Sequence, residues 1–203
     1  MSRWQPGSRA RLQTAALDLF LESGYSATTT AAIAERAGVT DRTFYRHFKD
    51  KSEVLFGDEA RLEQLLVGTF DASADSTANA LRTSLRALAQ DFQPRRADIL
   101  RRAIVIESVP DLAERELLKL RSWSHALTRL AVTRDGDDLA ARAQVEVAIA
   151  LFRAAFRSWT HDDDPPSLDE LIAHAYTAVG HPGFSTRRGS TPSTSTGSPW
   201  KRR

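Results

Sequence analysis

Apolar residues along this chain recur at a spacing near 3.6, and no alternating pattern of the kind a half-buried strand needs stands out. That single property restricts the fold to packed helices. Leu12, Ala15, Ala16, Leu19 and Phe20 form the face of a first helix, with Ser8 as its expected cap and Gly24 as its stop. A second, short helix follows in "TAAIAERAG". Its face is Ile33, Ala34 and Ala37, its cap Thr29, its stop Gly38. A third, "DRTFYRHF", is capped by Thr40.

Further along, "DKSE" sets Asp50 and Glu53 at capping-box spacing. It predicts one long helix over 50–70, through Leu55, Phe56, Leu62, Leu65 and Leu66. Helices then centre on Leu81, Leu85 and Leu88, and on Ile99, Leu100, Ala103 and Ile104. Another opens at Asp111 and Glu114 and carries Leu117, Leu118, Leu120, Trp123, Leu127 and Leu130. The last two span 138–160 and the segment opened by the capping box of Ser167 and Glu170. The expected architecture is all-α. A three-helix unit over 1–50 is joined by a long helix to a larger helical body over 51–181, and 182–203 form a disordered tail.

Charge matters here because it misleads. The net charge is +2, yet 183–203 carry five basic residues and no acid, which leaves −3 on the rest. Nucleic-acid binding therefore has to be argued from local groups. The absence of cysteine excludes disulfides and thiolate metal sites. No stretch resembles a signal peptide or spans a bilayer, so a cytoplasmic protein with no membrane partner is expected.

"AGVTDRTFYRHFKDK", 37–51, is the chemically richest segment. On a helical wheel Phe44 and Phe48 coincide and face inward, while Arg42, Thr43 and Arg46 face away. Tyr45 and His47 lie on the shoulders. Arginine makes paired bonds to guanine or to phosphate, and the other groups donate to phosphate oxygens. Helix, glycine-containing turn and helix in "ERAGVTDRT" make a helix-turn-helix arrangement. Its second helix enters the major groove and the start of its first meets a phosphate at Thr30. The same arginines equally suit a solvated face, and Asp41 a favourable charge at a helix start.

The span 9–66 resembles the DNA-binding domain of TetR-family transcriptional regulators, through "AALDLFLESGYSATTTAAIAERAGVT" and "TFYRHFKDKSEVLF". The resemblance implies an all-α homodimer that binds a double-stranded operator and answers to a small-molecule effector, expected to be largely apolar. It implies phosphate contacts at Thr30, Thr40, Tyr45, His47 and Lys51, and base selection at Asp41, Arg42 and Arg46. Many members carry glycine where this chain has Arg42, so no operator can be copied across. "VPDLAERELLKL" resembles the C-terminal bodies of some actinobacterial regulators of this kind.

The helix over 138–160 is apolar on most of its circumference. It suits either a central core helix or one shared with a second subunit. The resemblance favours the latter and places a dimer interface at Val145, Phe152 and Trp159, with Leu171 and Ala175 from the last helix. Phe56, Phe70, Phe92, Ile104 and Trp123 are the candidate effector-pocket residues. The expected function is a repressor released from a near-palindromic site by its effector.

Two alternatives remain at this stage. One is a metal-dependent enzyme built on His161, Asp162, Asp163 and Asp164. No second ligand cluster accompanies that loop, and no nucleophile or phosphate-loop motif is present. The other is DNA affinity dominated by the basic tail. No catalytic residue, metal site or cofactor is assigned.

Overall fold

The computed structural model describes residues 7–180. The tail expected to be disordered lies outside them. Every regular element among the described residues is helical: α1 Ser8–Ser23, α2 Thr30–Arg36, α3 Asp41–His47, α4 Glu53–Phe56, α5 Glu59–Ala72 and α6 Thr77–Phe92. After a 3-10 turn, Gln93–Arg95, come α7 Arg96–Glu107, α8 Pro110–Asp135, α9 Asp138–His161 and α10 Leu168–Gly180.

Local chemistry sets most of these boundaries. Thr29 and Thr40 accept from the backbone N–H of Ala32 and Thr43, capping α2 and α3. Ser167 and Glu170 close the expected capping box on α10. Between α2 and α3 the chain makes a Schellman turn. Val39 N–H donates to Ala34 C=O and Gly38 N–H to Glu35 C=O, at 2.9 and 3.0 Å. Gly38 takes the positive φ, +65°, that this turn requires.

Other expected starts are corrected. Gly7, not Ser8, precedes α1, and no side chain caps it. At α8, Pro110 occupies the first turn in place of an Asp111 cap, because proline there forfeits no intrahelical bond.

The expected single helix over 50–70 is two. α4 ends at Phe56, and Gly57 and Asp58 lead into α5. The break separates two cores. Val54, Leu55 and Phe56 pack with Leu12, Phe20, Ile33, Phe44 and Phe48 in the first, together with Val105, Ile106 and Leu112 from the body. Leu62, Leu66 and Phe70 of α5 belong to the second, with Leu85, Leu88, Trp123, Leu127, Phe152 and Trp159. The first core thus reaches beyond residue 50.

A second correction concerns α8. Leu117 and Leu118 are 51% and 56% exposed, whereas Lys119 between them and Trp123 is buried.

Candidate DNA-binding surface and interior cavity

Phe44 and Phe48 hold α3 to its bundle. They are 0% and 2% exposed, with ring centroids 5.7 Å apart. That anchoring fixes which residues of α3 face outward. Asp41, Arg42, Tyr45 and Arg46 are exposed, and neither Arg42 nor Arg46 makes an ion pair among the described residues. Arg36 of α2, by contrast, is held by Glu22 at 2.9 Å. Two uncommitted guanidiniums on one exposed face are free to form paired hydrogen bonds with an external acceptor. Tyr45 lies edge-on to Phe44, and its hydroxyl is 2.9 Å from that of Thr30, which joins the start of α2 to the middle of α3. Thr40 is exposed and occupied in capping.

Two expected phosphate contacts have structural partners. Lys51 Nζ donates to the carbonyls of Tyr25, Ser26 and Thr28 at 2.7, 3.3 and 3.0 Å, and sits 4.4 Å from the Tyr25 ring centre. All its donors are thereby used in closing the loop between α1 and α2. His47 Nε2 is 2.7 Å from Ser8 Oγ and ties the end of α3 to the start of α1.

Behind this surface, arginines from three elements grip α4. Arg9 of α1 donates to Gly57 C=O at 2.7 Å. Arg102 of α7 donates from Nε to Leu55 C=O at 2.5 Å, and its guanidinium lies 5.1 Å from the centre of the Phe56 ring. Arg115 of α8 covers the same ring at 4.4 Å and donates to Ser52 Oγ at 2.6 Å.

Between the two cores lies a cavity of about 920 Å³. Phe56, Phe92 and Trp123 line it, as does Phe152. Phe70 and Ile104 do not. Phe70 is fully buried under the Arg134 guanidinium, and Ile104 is 55% exposed on the outer side of α7. Sequence reasoning missed the charged group in the wall. Glu116 and Lys119 of α8 pair with each other, and Arg102 reaches Glu116 at 2.8 Å. Burial opposes ionisation of Glu116, yet Arg102 and Lys119 hold its carboxyl down to about 2. Burial, then the charge of Arg102, lowers the Lys119 ammonium to about 8. The signal was available: Leu112, Glu116, Lys119, Trp123 and Leu127 form one stripe at helical spacing, with two charges where apolar residues belong.

The expected dimer residues are displaced as well. Val145, Phe152 and Trp159 are 0%, 4% and 0% exposed within a single chain, because they face α6, α8 and α10. Leu171 packs partly against the same core. Ala175 is half-buried. The exposed side of α9 carries Ala143, Val147, Ala150 and Ala154 instead.

At the end of α9, His161 Nδ1 lies 2.9 Å from Arg157 C=O, and its Nε2 lies 3.4 Å from Glu107. Among the described residues no group of three or more histidine and acidic side chains is placed to hold a metal ion. No helix there is long and apolar enough to cross a membrane.

Comparison with known proteins follows this geometry. Residues 12–56 match the family of bacterial regulatory proteins of the tetR type, and 75–182 match the MftR C-terminal domain. Over 158 residues the chain is 28% identical to the HTH-type transcriptional regulator TcmR of Streptomyces glaucescens, covering 74% of this chain and 70% of TcmR. A TerR/AcrR-family transcriptional regulator from Aquifex aeolicus VF5 superposes with a TM-score of 0.60 at 17% identity, over 86% of this chain and 98% of that one. Thermus thermophilus FadR, a TetR-family transcriptional repressor in complex with lauroyl-CoA, gives 0.55 at 21% identity, over 91% and 98%. At these identities the two structures share the fold with this chain.

Proposed function

The chain belongs to the TetR family of bacterial regulatory proteins and is a transcriptional regulator, not an enzyme, and from that premise we propose that it is a dimeric repressor released from a near-palindromic operator by an effector bound in the interior cavity. The observation that carries the DNA half of this reading is the exposed, unpaired Arg42 and Arg46 on a helix locked by Phe44 and Phe48. Arg42 and Arg46 read bases. Tyr45 and Thr30 present neighbouring hydroxyls to the phosphate backbone. Two copies of α3 one DNA turn apart, about 34–36 Å, would each read a half-site. Ala143, Val147, Ala150 and Ala154 on α9, with Ala173 and Val179 on α10, supply a small-residue seam for the partner subunit, since small side chains let helices approach closely.

The effector half rests on the cavity. Its volume falls in the range of drug-sized ligand sites, roughly 300–1,000 Å³, and Phe56, Phe92, Trp123 and Phe152 give it an apolar lining. The lauroyl-CoA bound by the like-folded FadR supports an effector with an acyl chain. Such a ligand acts only by preferring one conformer of the dimer over the other.

Selection of bound sequences from a random duplex pool tests the reading, followed by titration of acyl compounds against the selected duplex. A palindrome with half-sites about one turn apart, released by one of these compounds, is the expected result. Enrichment of no sequence by the intact protein would refute the operator reading.

A further inference from the structure

Pairing in the cavity wall is uneven around Glu116. Lys119 is only 6% exposed, and its Nζ lies 5.0 Å from the centre of the Trp123 ring. Its acid partner, Glu116, is shared with Arg102. Two cations thus divide one carboxylate beside an aromatic lining. Trp123 Nε1 is buried there too, with no hydrogen-bond partner.

Over the whole lining formed by the described residues five carboxylates match five cations, but none of the other acids pairs with Lys119 or Arg102. Asp58 is committed to Arg9 and Arg95, Asp98 lies 4.0 Å from Arg101, and Glu107 faces His161. Glu59 at the start of α5 acts on Lys119 through space but makes no hydrogen bond with it. Arg153 and Arg157 of α9 add positive charge at the cavity edge. A buried cation lacking a full counter-charge is costly, and an entering anion removes that cost.

We infer that this part of the wall is an anion seat, and that the effector is an apolar molecule ending in a carboxylate, which binds to Lys119 and Arg102 with Trp123 Nε1 as a further donor. The inference deepens the effector reading of the cavity and rests on it. The seat also touches the DNA-binding unit. Arg102 holds Leu55 C=O of α4, so a carboxylate that draws this guanidinium inward competes directly with that bond.

Calorimetric titration of the full chain with decanoate, decanol and decyltrimethylammonium tests this, since the three share a tail and differ in head charge. Decanoate is expected to bind roughly tenfold or more tighter than decanol, the worth of a charge-assisted hydrogen bond. The ammonium probe should bind weakest. Lys119→Met keeps the Arg102–Glu116 pair and should erase most of that preference. Glu116→Gln should lower Tm in the absence of ligand and widen the preference for decanoate over decanol, which a merely structural glutamate would leave unchanged.

Equal binding of decanol and decanoate, or an unchanged preference in Lys119→Met, would overturn the anion seat while leaving an apolar effector site standing. Failure of all three probes to bind would instead overturn the effector reading of the cavity itself.

Discussion

Lys51 has an ammonium with three donors and three backbone carbonyls to receive them. Removing it strands those acceptors at the loop between α1 and α2. Lys51→Met is therefore expected to lower stability by about 2 kcal/mol in denaturant unfolding, with base preference unchanged in the population that remains folded. Arg46→Ala should do the reverse. An exposed, unpaired residue costs under about 0.5 kcal/mol of stability when removed. Discrimination at one operator position should fall by about 1–3 kcal/mol in competition binding. Lys119 has a pH signature. Its folded pKa, about 8, lies below the usual 10.5, so the unfolded chain binds more protons between those values. Stability should rise as pH increases from about 8 to about 10.5, and urea midpoints for Lys119→Met should lack that rise. Glu116 has the same sign in an acid window: its pKa is also lowered, so the stability it contributes is lost as pH falls from about 4.5 to about 2. The importance of Lys51 was legible in the sequence, but its partner was not. The carbonyls it serves lie 23 to 26 positions earlier, and nothing in their side chains announces them.

At the scale of elements, local chemistry was readable and tertiary choice was not. The caps at Thr29, Thr40 and Ser167 follow from short-range bonds that the sequence spells out. The break between α4 and α5 does not. Asp50 starts the segment as expected, its carboxylate accepting from Glu53 N–H at 2.9 Å, and nothing downstream forbids a continuous helix. At the interruption Arg9, far away in sequence, bonds to Gly57 C=O. A Cβ on Gly57 would sit 2.5 Å from that guanidinium, 3.0 Å from Glu53 C=O and 3.2 Å from the Phe48 ring. The side chain of Arg9 can move, but the carbonyl and the buried ring cannot. Gly57→Ala is thus expected to destabilise the protein by about 1 kcal/mol or more, read as a lower Tm. The two sides of α9 were confused for a similar reason. Both are apolar, and large side chains look like interface in a sequence when they are in fact core. The exposed side is marked by small size, a weaker signal than hydrophobicity.

For the whole molecule, the two faces of α9 predict opposite failures. Val147→Glu places a charge on the exposed seam and should yield a folded monomer by analytical ultracentrifugation. Phe152→Ala empties the core of each chain and should cost about 3–5 kcal/mol in unfolding experiments. The cavity between the cores also puts α4 in an unusual position. A four-residue helix has too few internal bonds to persist in water, since nucleation is unfavourable and pairing too short to offset it. Arg9, Arg102 and Arg115 supply from outside what its length denies it. Its order therefore rests on those guanidiniums together with the burial of Val54, Leu55 and Phe56 in the first core. In hydrogen–deuterium exchange, the amides of 53–57 should speed up when Arg102 or Arg115 is replaced by alanine. Their rates should also respond to what fills the space behind Arg102.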